Sequence, residues 1–232
     1  MKLSEIIDKA ISLVFPQRCL FCGDISENKY ICNKCAALYK KVDLPICSTC
    51  GFGRNECHCL SNMYFNRVAA PFYYEGRVRE DILKFKYYGK HSYGDYFAYC
   101  ISEFIREQYA GVIFDAVMSV PAFNSNDKSF FDHAKRLGEL VADNINVPFD
   151  CGFIKKTAER VKQHALDFEQ RFKNVRGLYS CCSSSKNYKT ILLIDDISTT
   201  GATFMECARM LKNAGIKDVY CASVALTPKR IL

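Results

Sequence analysis

The sequence contains no tryptophan, only four histidines among its 232 residues, and no long apolar run. A membrane-spanning helix needs about 20 consecutive apolar residues, and no stretch of the chain approaches that length. The segment 3–15 is not typical of a secretory leader, because Glu5, Asp8 and Lys9 interrupt its apolar residues. Those apolar residues follow one face of a helix instead. We therefore expect a cytoplasmic protein that does not span a membrane.

The motifs of several nucleotide-handling enzymes are also missing. The chain has no Gly-x4-Gly-Lys-Ser/Thr loop, which excludes a P-loop ATPase. Gly51-Phe-Gly53 lacks the preceding strand and the third glycine of a dinucleotide loop. The absence of a His-x-Glu segment excludes a zinc deaminase. The net charge of +7 is compatible with anionic ligands, although charge alone does not identify a nucleic-acid partner.

Cysteine, by contrast, is abundant: the chain has 14 cysteines, and eight of them form closely spaced pairs. The paired residues are Cys19, Cys22, Cys32, Cys35, Cys47, Cys50, Cys57 and Cys59. Pairs of this kind, repeated after about ten residues, are typical of structural Zn²⁺ held by four thiolates. A disulfide framework would need an oxidising compartment, which the expected location does not provide.

We predict one or two structural zinc ions in this region. The first four paired cysteines have the spacing of a zinc ribbon, and the last four could form a second site. His58 could replace a neighbouring cysteine as a ligand, and a crossed pairing between the two sets stays open. We expect both sites to be closed by four ligands, which leaves no open position for catalysis.

Two acidic residues lie between a strand-like run and a helix-like run near the end of the sequence. Residues 190–194 are apolar and β-branched, which is typical of a strand covered on both faces of a parallel sheet. Asp195 and Asp196 follow, and apolar residues at helical spacing begin at Phe204. The turn between them consists of Ser198, Thr199, Thr200, Gly201, Ala202 and Thr203.

We predict that this turn binds a phosphate. It lies at the expected N-terminus of a helix, where free N–H groups and the helix dipole favour an anion. Gly201 allows a close backbone approach or a positive φ. Asp195 and Asp196 are too close to that phosphate to contact it without repulsion, so we expect them to hold sugar hydroxyls or a Mg²⁺.

The remaining sequence alternates strands and helices. Strands are predicted at 68–74, 114–120, 190–194 and 219–224, and helices at 78–85, 132–146 and 167–175. This alternation predicts an α/β fold with a parallel sheet flanked by helices. We expect an N-terminal helix and zinc module over 1–66 and the α/β domain over 67–232. Ser119, Val120 and Pro121 end a strand, and we expect them to form the opposite lip of the phosphate site.

Cations and aromatic residues alternate in the segment 84–93. Single-strand binders use cations for phosphates and aromatic faces for base stacking. The residues that we consider candidates for DNA binding are Lys84, Lys86, Tyr87, Tyr88 and Lys90. The alternative is a solvated helix face whose aromatic residues lie in the core.

Residues 191–203 resemble the phosphoribosyl pyrophosphate (PRPP) motif of type I phosphoribosyltransferases. In that family the two acids hold the ribose 2′- and 3′-hydroxyls and the turn holds the 5′-phosphate. The resemblance implies a Mg²⁺-PRPP site at Asp195 and Asp196, with the strand-end loop near pyrophosphate. Purine-salvage relatives carry an acid in the turn that helps to deprotonate the base. Thr199 occupies that position here and cannot serve as a general base near neutral pH.

The chain as a whole resembles the ComF family of competence-associated proteins. The resemblance lies in the Cys-x2-Cys pairs, the segment 83–89, Val120-Pro121, Lys156-Thr157 and the acid motif. It implies a zinc-ribbon module before a phosphoribosyltransferase-like domain, and PRPP binding in natural transformation with single-stranded DNA and partner proteins. Two alternatives stay open: a phosphoribosyltransferase with an unidentified acceptor, and a zinc-stapled interaction adaptor with a vestigial PRPP site.

Overall fold

The structure is a computed structural model that describes residues 16–53, 57, 59, 63–122, 131–157, 175–182 and 187–228. The helix predicted from the segment 3–15 lies outside these ranges, as does that predicted at 167–175 except for its last residue. Within the described ranges, no helix combines the length and the apolar character that a membrane crossing requires.

The described residues form an α/β fold, as the sequence predicts. The strands are β1 (Arg67–Ala69), β2 (Phe72–Tyr73), β3 (Ala116–Ser119), β4 (Ile154–Lys156), β5 (Tyr179–Cys181), β6 (Thr190–Ser198) and β7 (Asp218–Leu226). The helices are α1 (Asn33–Ala36), α2 (Gly76–Tyr87), α3 (Tyr93–Gln108), α4 (His133–Ile145) and α5 (Ala202–Asn213). A parallel sheet has the order β1-β7-β6-β3, with β2 also paired to β7. Strands β4 and β5 form a separate antiparallel pair.

All four predicted strands differ from their predicted bounds, and for two of them the backbone gives the reason. The strand predicted at 190–194 continues to Ser198, because β7 runs beside it and pairs Ser198 with Leu226. The two acids therefore lie within β6 and not after it. The strand predicted at 68–74 is broken into β1 and β2 around Pro71, which has no backbone N–H to donate to a ladder.

Helices cover both faces of the sheet. Side chains of α2, α3 and α4 pack with Leu192 and Ile194 on one face. Side chains of α5 and of the β4–β5 pair pack with Ile191 and Leu193 on the other. Helix α3 was not predicted, although its buried residues follow a helical spacing: Tyr93, Tyr96, Phe97, Ile101 and Ile105. The alternation along β6 determines which face each of its side chains meets.

The cysteine-rich region packs directly on the sheet domain. Tyr39 is buried in the same core as α2, and its hydroxyl donates a hydrogen bond of 3.0 Å to the buried carboxylate of Asp81. Gly51 has a φ of +76° and lies against the edge of the sheet, where a Cβ would come within 2.4 Å of the Val68 carbonyl oxygen. The boundary between residues 66 and 67 remains a prediction, and these contacts join the two sides of it.

Candidate ligand cleft and zinc centres

The eight paired cysteines form two separate clusters. One consists of Cys19, Cys22, Cys32 and Cys35, and the other of Cys47, Cys50, Cys57 and Cys59. Within each cluster the Sγ atoms all lie within 4.8 Å of one another. The structure thus groups the first four paired cysteines together and the last four together, without a crossed pairing. His58 lies outside the described residues.

The geometry of both clusters fits tetrahedral zinc. Four thiolates at about 2.3 Å from Zn²⁺ are separated from one another by about 3.8 Å. The Sγ atoms of Cys22 and Cys32 are 3.7 Å apart, those of Cys50 and Cys57 are 3.7 Å apart, and those of Cys47 and Cys59 are 3.3 Å apart. The residues present can therefore hold one zinc ion in each cluster.

Backbone N–H groups favour thiolates in both clusters. Burial alone would raise the pKa of Cys19, but hydrogen bonds from backbone N–H groups lower it to about 6. The pKa of Cys47 likewise falls to about 6, against the effect of burial, because the N–H groups of Cys50 and Thr49 donate to its sulfur. A thiolate is the form that binds metal, so each cluster stabilises the ionised state of one ligand before metal arrives.

A cleft of about 320 Å³ opens at the carboxyl ends of β3 and β6. Ligands of parallel α/β sheets bind at this edge. Its lining residues are Lys86, Val120, Pro121, Ala122, Asp132, His133, Ala134, Lys156, Val175, Leu178, Tyr179, Asp195, Asp196 and Thr203. Of the predicted site residues, the cleft brings together Val120, Pro121, Asp195, Asp196 and Thr203, and it adds residues from α2, α4, β4 and β5.

Asp196 is paired with a lysine that comes from a different part of the chain. Lys86, in the last turn of α2, places its Nζ 2.6 Å from Asp196 Oδ2. Burial lowers the pKa of Lys86, but the Asp196 carboxylate outweighs this effect and the pKa lies above its ordinary value. The lysine is thus held as a cation in the cleft.

Asp195 lies in a different environment from its neighbour. Because side chains alternate along a strand, Asp195 is on the face of Ile191 and Leu193. Burial raises the pKa of Asp195 well above its ordinary value, and the Asp196 carboxylate raises it further. Its Oδ1 accepts a hydrogen bond of 2.8 Å from the Asp196 backbone N–H. The acid pair therefore combines an ion-paired carboxylate with one that favours its protonated form.

The predicted phosphate turn connects β6 to α5. Gly201 has a φ of +74° and stands at the N-cap of α5, in the left-handed region where a side chain is disfavoured. The hydroxyl of Thr200 accepts from the Ala202 N–H at 3.4 Å. Ser198 is buried and Thr199 is exposed. Thr203 lines the cleft, so the start of α5 directs its N-terminal end toward that space.

The strand-end loop follows β3 directly. Ser119 and Val120 are buried, and the Val120 N–H donates to the Ile194 carbonyl at 2.8 Å. Pro121 lines the cleft together with Val120. The loop is therefore anchored to β6 immediately before the acid pair, and its backbone forms one wall of the site.

His133 fixes the segment that carries Lys86. Its Nε2 lies 2.6 Å from the Lys86 carbonyl oxygen, and a carbonyl only accepts, so the Nε2–H is the donor. The aromatic rings of Phe85 and Phe131 pack edge-on against the imidazole. Asp132 caps α4 by accepting the Lys135 N–H at 2.9 Å. Sequence reasoning assigned no site role to either residue.

The candidate DNA-binding residues occupy different environments. Lys84 pairs with the buried Asp81 at 3.0 Å, and Lys86 pairs with Asp196 in the cleft. Tyr87 and Tyr88 are 68% and 72% exposed, and Lys90 is exposed as well. The structure therefore brings only the last three together as an open surface.

Lys86 is the cleft residue whose position the sequence could have revealed. The buried residues of α2 include Val78, Ile82 and Phe85, and Lys86 follows Ile82 by one helical repeat of four. A lysine on the buried face of a helix needs an anionic partner. That signal points to a carboxylate elsewhere in the chain, although it does not identify which one.

Two comparisons with known proteins bear on the family. Residues 10–63 match the family described as "Double zinc ribbon domain", in agreement with the two cysteine clusters. Competence protein F of Haemophilus influenzae is 22% identical over 114 residues, which are 48% of this chain and 50% of that protein. The chain is ComF-like. The ComF-like chain spans about half the length of the curated relative that it matches.

Three solved structures are also similar to this chain at low identity and low TM-score. Glutamine PRPP amidotransferase from B. subtilis is 18% identical with a TM-score of 0.40, covering 60% of this chain and 30% of its own. PRPP synthetase from Mycobacterium smegmatis is 24% identical with a TM-score of 0.36, covering 56% and 33%. Purine phosphoribosyltransferase from Pyrococcus horikoshii is 18% identical with a TM-score of 0.34, covering 57% and 72%. The fold class of this chain is therefore assigned from its own strand order and flanking helices.

Proposed function

We propose that this protein binds PRPP, with Mg²⁺ carried on the diphosphate, and that it handles single-stranded DNA in natural transformation. The observation that carries the first part is the cleft at the ends of β3 and β6, which Asp195, Asp196 and Thr203 of the predicted phosphate turn line together. A helix N-terminus suits the 5′-phosphate, and the carboxylates suit ribose hydroxyls. Lys86 and Lys156 supply positive charge for the diphosphate.

The role in transformation has separate support. The curated relative carries the name Competence protein F, and the motifs of this chain resemble the ComF family. Tyr87, Tyr88 and Lys90 form an open surface directly after the lysine that enters the cleft. Exposed tyrosines beside a lysine are suited to stacking bases and contacting phosphates of a single strand.

The PRPP proposal is tested by isothermal titration calorimetry of the full chain with Mg²⁺-PRPP. Saturable binding is expected for the wild type, with at least tenfold weaker binding for Asp196→Asn, because a charge-assisted hydrogen bond is lost. Gly201→Ala should weaken binding several-fold, since the left-handed backbone costs a residue with a Cβ about 1–2 kcal/mol. Gly152→Ala is the control, because Gly152 has no positive φ and a Cβ there meets only Asp150 at 3.6 Å.

Two outcomes would overturn the PRPP proposal. One is a wild-type protein that shows no heat of binding at millimolar PRPP. The other is a Gly152→Ala variant that loses affinity as strongly as the Asp196 and Gly201 variants. Circular dichroism of each variant checks that the fold is retained.

The DNA proposal is tested by fluorescence anisotropy with labelled single strands. Replacing Tyr87 and Tyr88 with alanine should weaken binding by at least fivefold, because each base stack contributes about 1–3 kcal/mol. Tyr64→Ala removes an exposed ring elsewhere on the surface and should leave binding unchanged. Binding that is absent at micromolar protein, or insensitive to salt, contradicts the proposal.

A further inference from the structure

The strongest electrostatic contact in the cleft is internal to the protein. Lys86 Nζ lies 2.6 Å from Asp196 Oδ2, and the two side chains are only 18% and 13% exposed. Two contacts of the neighbouring residue and main chain fix the position of Lys86. Phe85 before it is fully buried, and the Lys86 carbonyl accepts the His133 hydrogen bond. The ammonium group is therefore a fixed part of the site and not a surface charge that happens to lie nearby.

The same geometry is unfavourable for a free magnesium ion at the acid pair. Mg²⁺ requires near-octahedral oxygen ligands at about 2.0–2.1 Å and usually binds one or two carboxylates that converge on it. Asp196 is already in contact with a cation. Asp195 also lines the cleft, but it extends from the opposite face of β6 because side chains alternate along a strand. Within the described ranges, only the two cysteine clusters bring three or more metal-ligand atoms within 4.8 Å of one another.

We infer that Lys86 is the built-in counter-cation of Asp196, so that the cleft accepts magnesium only with a diphosphate-bearing ligand and not as a free ion at the acid pair. The part that concerns the diphosphate rests on the proposed function, whereas the part that concerns the free ion does not. Lys86 is thus a positioning residue. It neutralises and orients the carboxylate that meets the sugar, and it places a positive charge where the diphosphate enters.

The inference is tested by titrating Mn²⁺, as a paramagnetic substitute for Mg²⁺, into the zinc-loaded full chain without PRPP. Electron paramagnetic resonance of the free ion then measures binding. The wild type should show no saturable site that depends on Asp196. Lys86→Met, which keeps the length of the side chain without its charge, should gain a saturable Mn²⁺ site that binds at least tenfold more tightly than any residual binding by the wild type. The double variant Lys86→Met/Asp196→Asn should lose that site again.

Two further variants serve as matched controls. Lys189→Met removes the same charge from an exposed residue at the opposite end of β6 and should behave as the wild type. Lys86→Arg keeps the cation and should also show no Mn²⁺ site that depends on Asp196. A wild-type site for Mn²⁺ that Asp196→Asn abolishes would overturn the inference. A folded Lys86→Met that gains no site would overturn it as well.

The comparison of wild type with Asp196→Asn decides the question even where Lys86→Met fails to fold, because neither protein alters Lys86. A parallel titration with Mg²⁺-PRPP separates the two proposals. If the wild type binds no PRPP, the proposed function fails, while the Mn²⁺ titration still decides the role of Lys86. If PRPP binds and Mn²⁺ alone also occupies the acid pair, only the inference about Lys86 fails.

Discussion

The two cysteine clusters and the ligand cleft are built in different ways. Each cluster takes all its ligands from one short segment, 19–35 or 47–59. The cleft takes its lining from α2, α4, α5 and the ends of β3, β4, β5 and β6. Gly23 and Gly51, each directly after a Cys-x2-Cys pair, have positive φ, which suits the tight turn at each pair. Only a complete sheet brings Lys86 to Asp196. Ligand spacing is thus informative for the first kind of site and incomplete for the second.

The two regions are nevertheless mechanically joined. Tyr39, which follows the first cysteine cluster, donates to Asp81 in α2, and Asp81 also accepts from Arg77 and Lys84. Lys86 lies in the same helix and enters the cleft. A change in the zinc region is therefore expected to reach the cleft through α2, and the following predictions test how separate the two regions are.

Removal of zinc should have the largest effect. Structural zinc contributes about 10–16 kcal/mol of binding free energy in small zinc modules, and Cys19 and Cys35 also lie in the core shared with α2. Cys35→Ser should therefore lower the melting temperature of the whole chain and not only unfold the ribbon. Thermal denaturation monitored with bound-zinc content measures this. Cys151→Ser, an exposed cysteine outside both clusters, is the control.

The zinc prediction has a clear contrary result. If chelation leaves the melting curve of the chain unchanged, zinc does not stabilise the fold. If Cys35→Ser unfolds the ribbon alone while the sheet domain keeps its melting temperature, the two regions are independent units. Either result would break the link that the shared core implies.

Loss of the Tyr39 hydroxyl should have an intermediate effect. Asp81 is fully buried, so Tyr39→Phe removes one hydrogen bond from a carboxylate that water cannot reach. We expect a loss of about 1–3 kcal/mol in the free energy of unfolding, measured by urea denaturation. Tyr64→Phe changes an exposed ring in the same way and should cost almost nothing. Equal losses for both variants would show that the contact with Asp81 is not stabilising.

Replacement of Asp195 should change the stability of the fold least, and it should raise the stability where the other two changes lower it. Folding raises the pKa of Asp195, so the folded state holds a proton that the unfolded state releases above about pH 4. Asp195 therefore destabilises the folded state increasingly as the pH rises from the pKa of the unfolded state toward the pKa of the folded state. Asp195→Asn should raise the melting temperature at pH 7 and have little effect near pH 3. A variant that is less stable at both pH values contradicts this reasoning.

The periodicity of apolar residues and the positions of capping residues predicted several helices and strands of this fold. The apolar spacing of Val78, Ile82 and Phe85 gave helix α2, and Asp132 and Asn146 correctly bracket α4 as its caps. Apolar residues before Asp195 gave the central strand of the site. Helix α3 was not predicted, although Tyr93, Phe97 and Ile101 lie at a helical spacing of four residues. The end of β6 was placed too early because its last residues pair with β7, a long-range contact that no local pattern contains.

The amino-acid sequence by itself supplied the spaced thiols, the acid motif and the glycine of the phosphate turn, because each depends on residues close together in the chain. It left open how the two sets of thiols pair. The tertiary structure alone decided that Lys86 and Asp196 form an ion pair, although 110 residues separate them in sequence. That outcome depends on how α2 packs against β6, and packing is a property of the assembled sheet rather than of any segment.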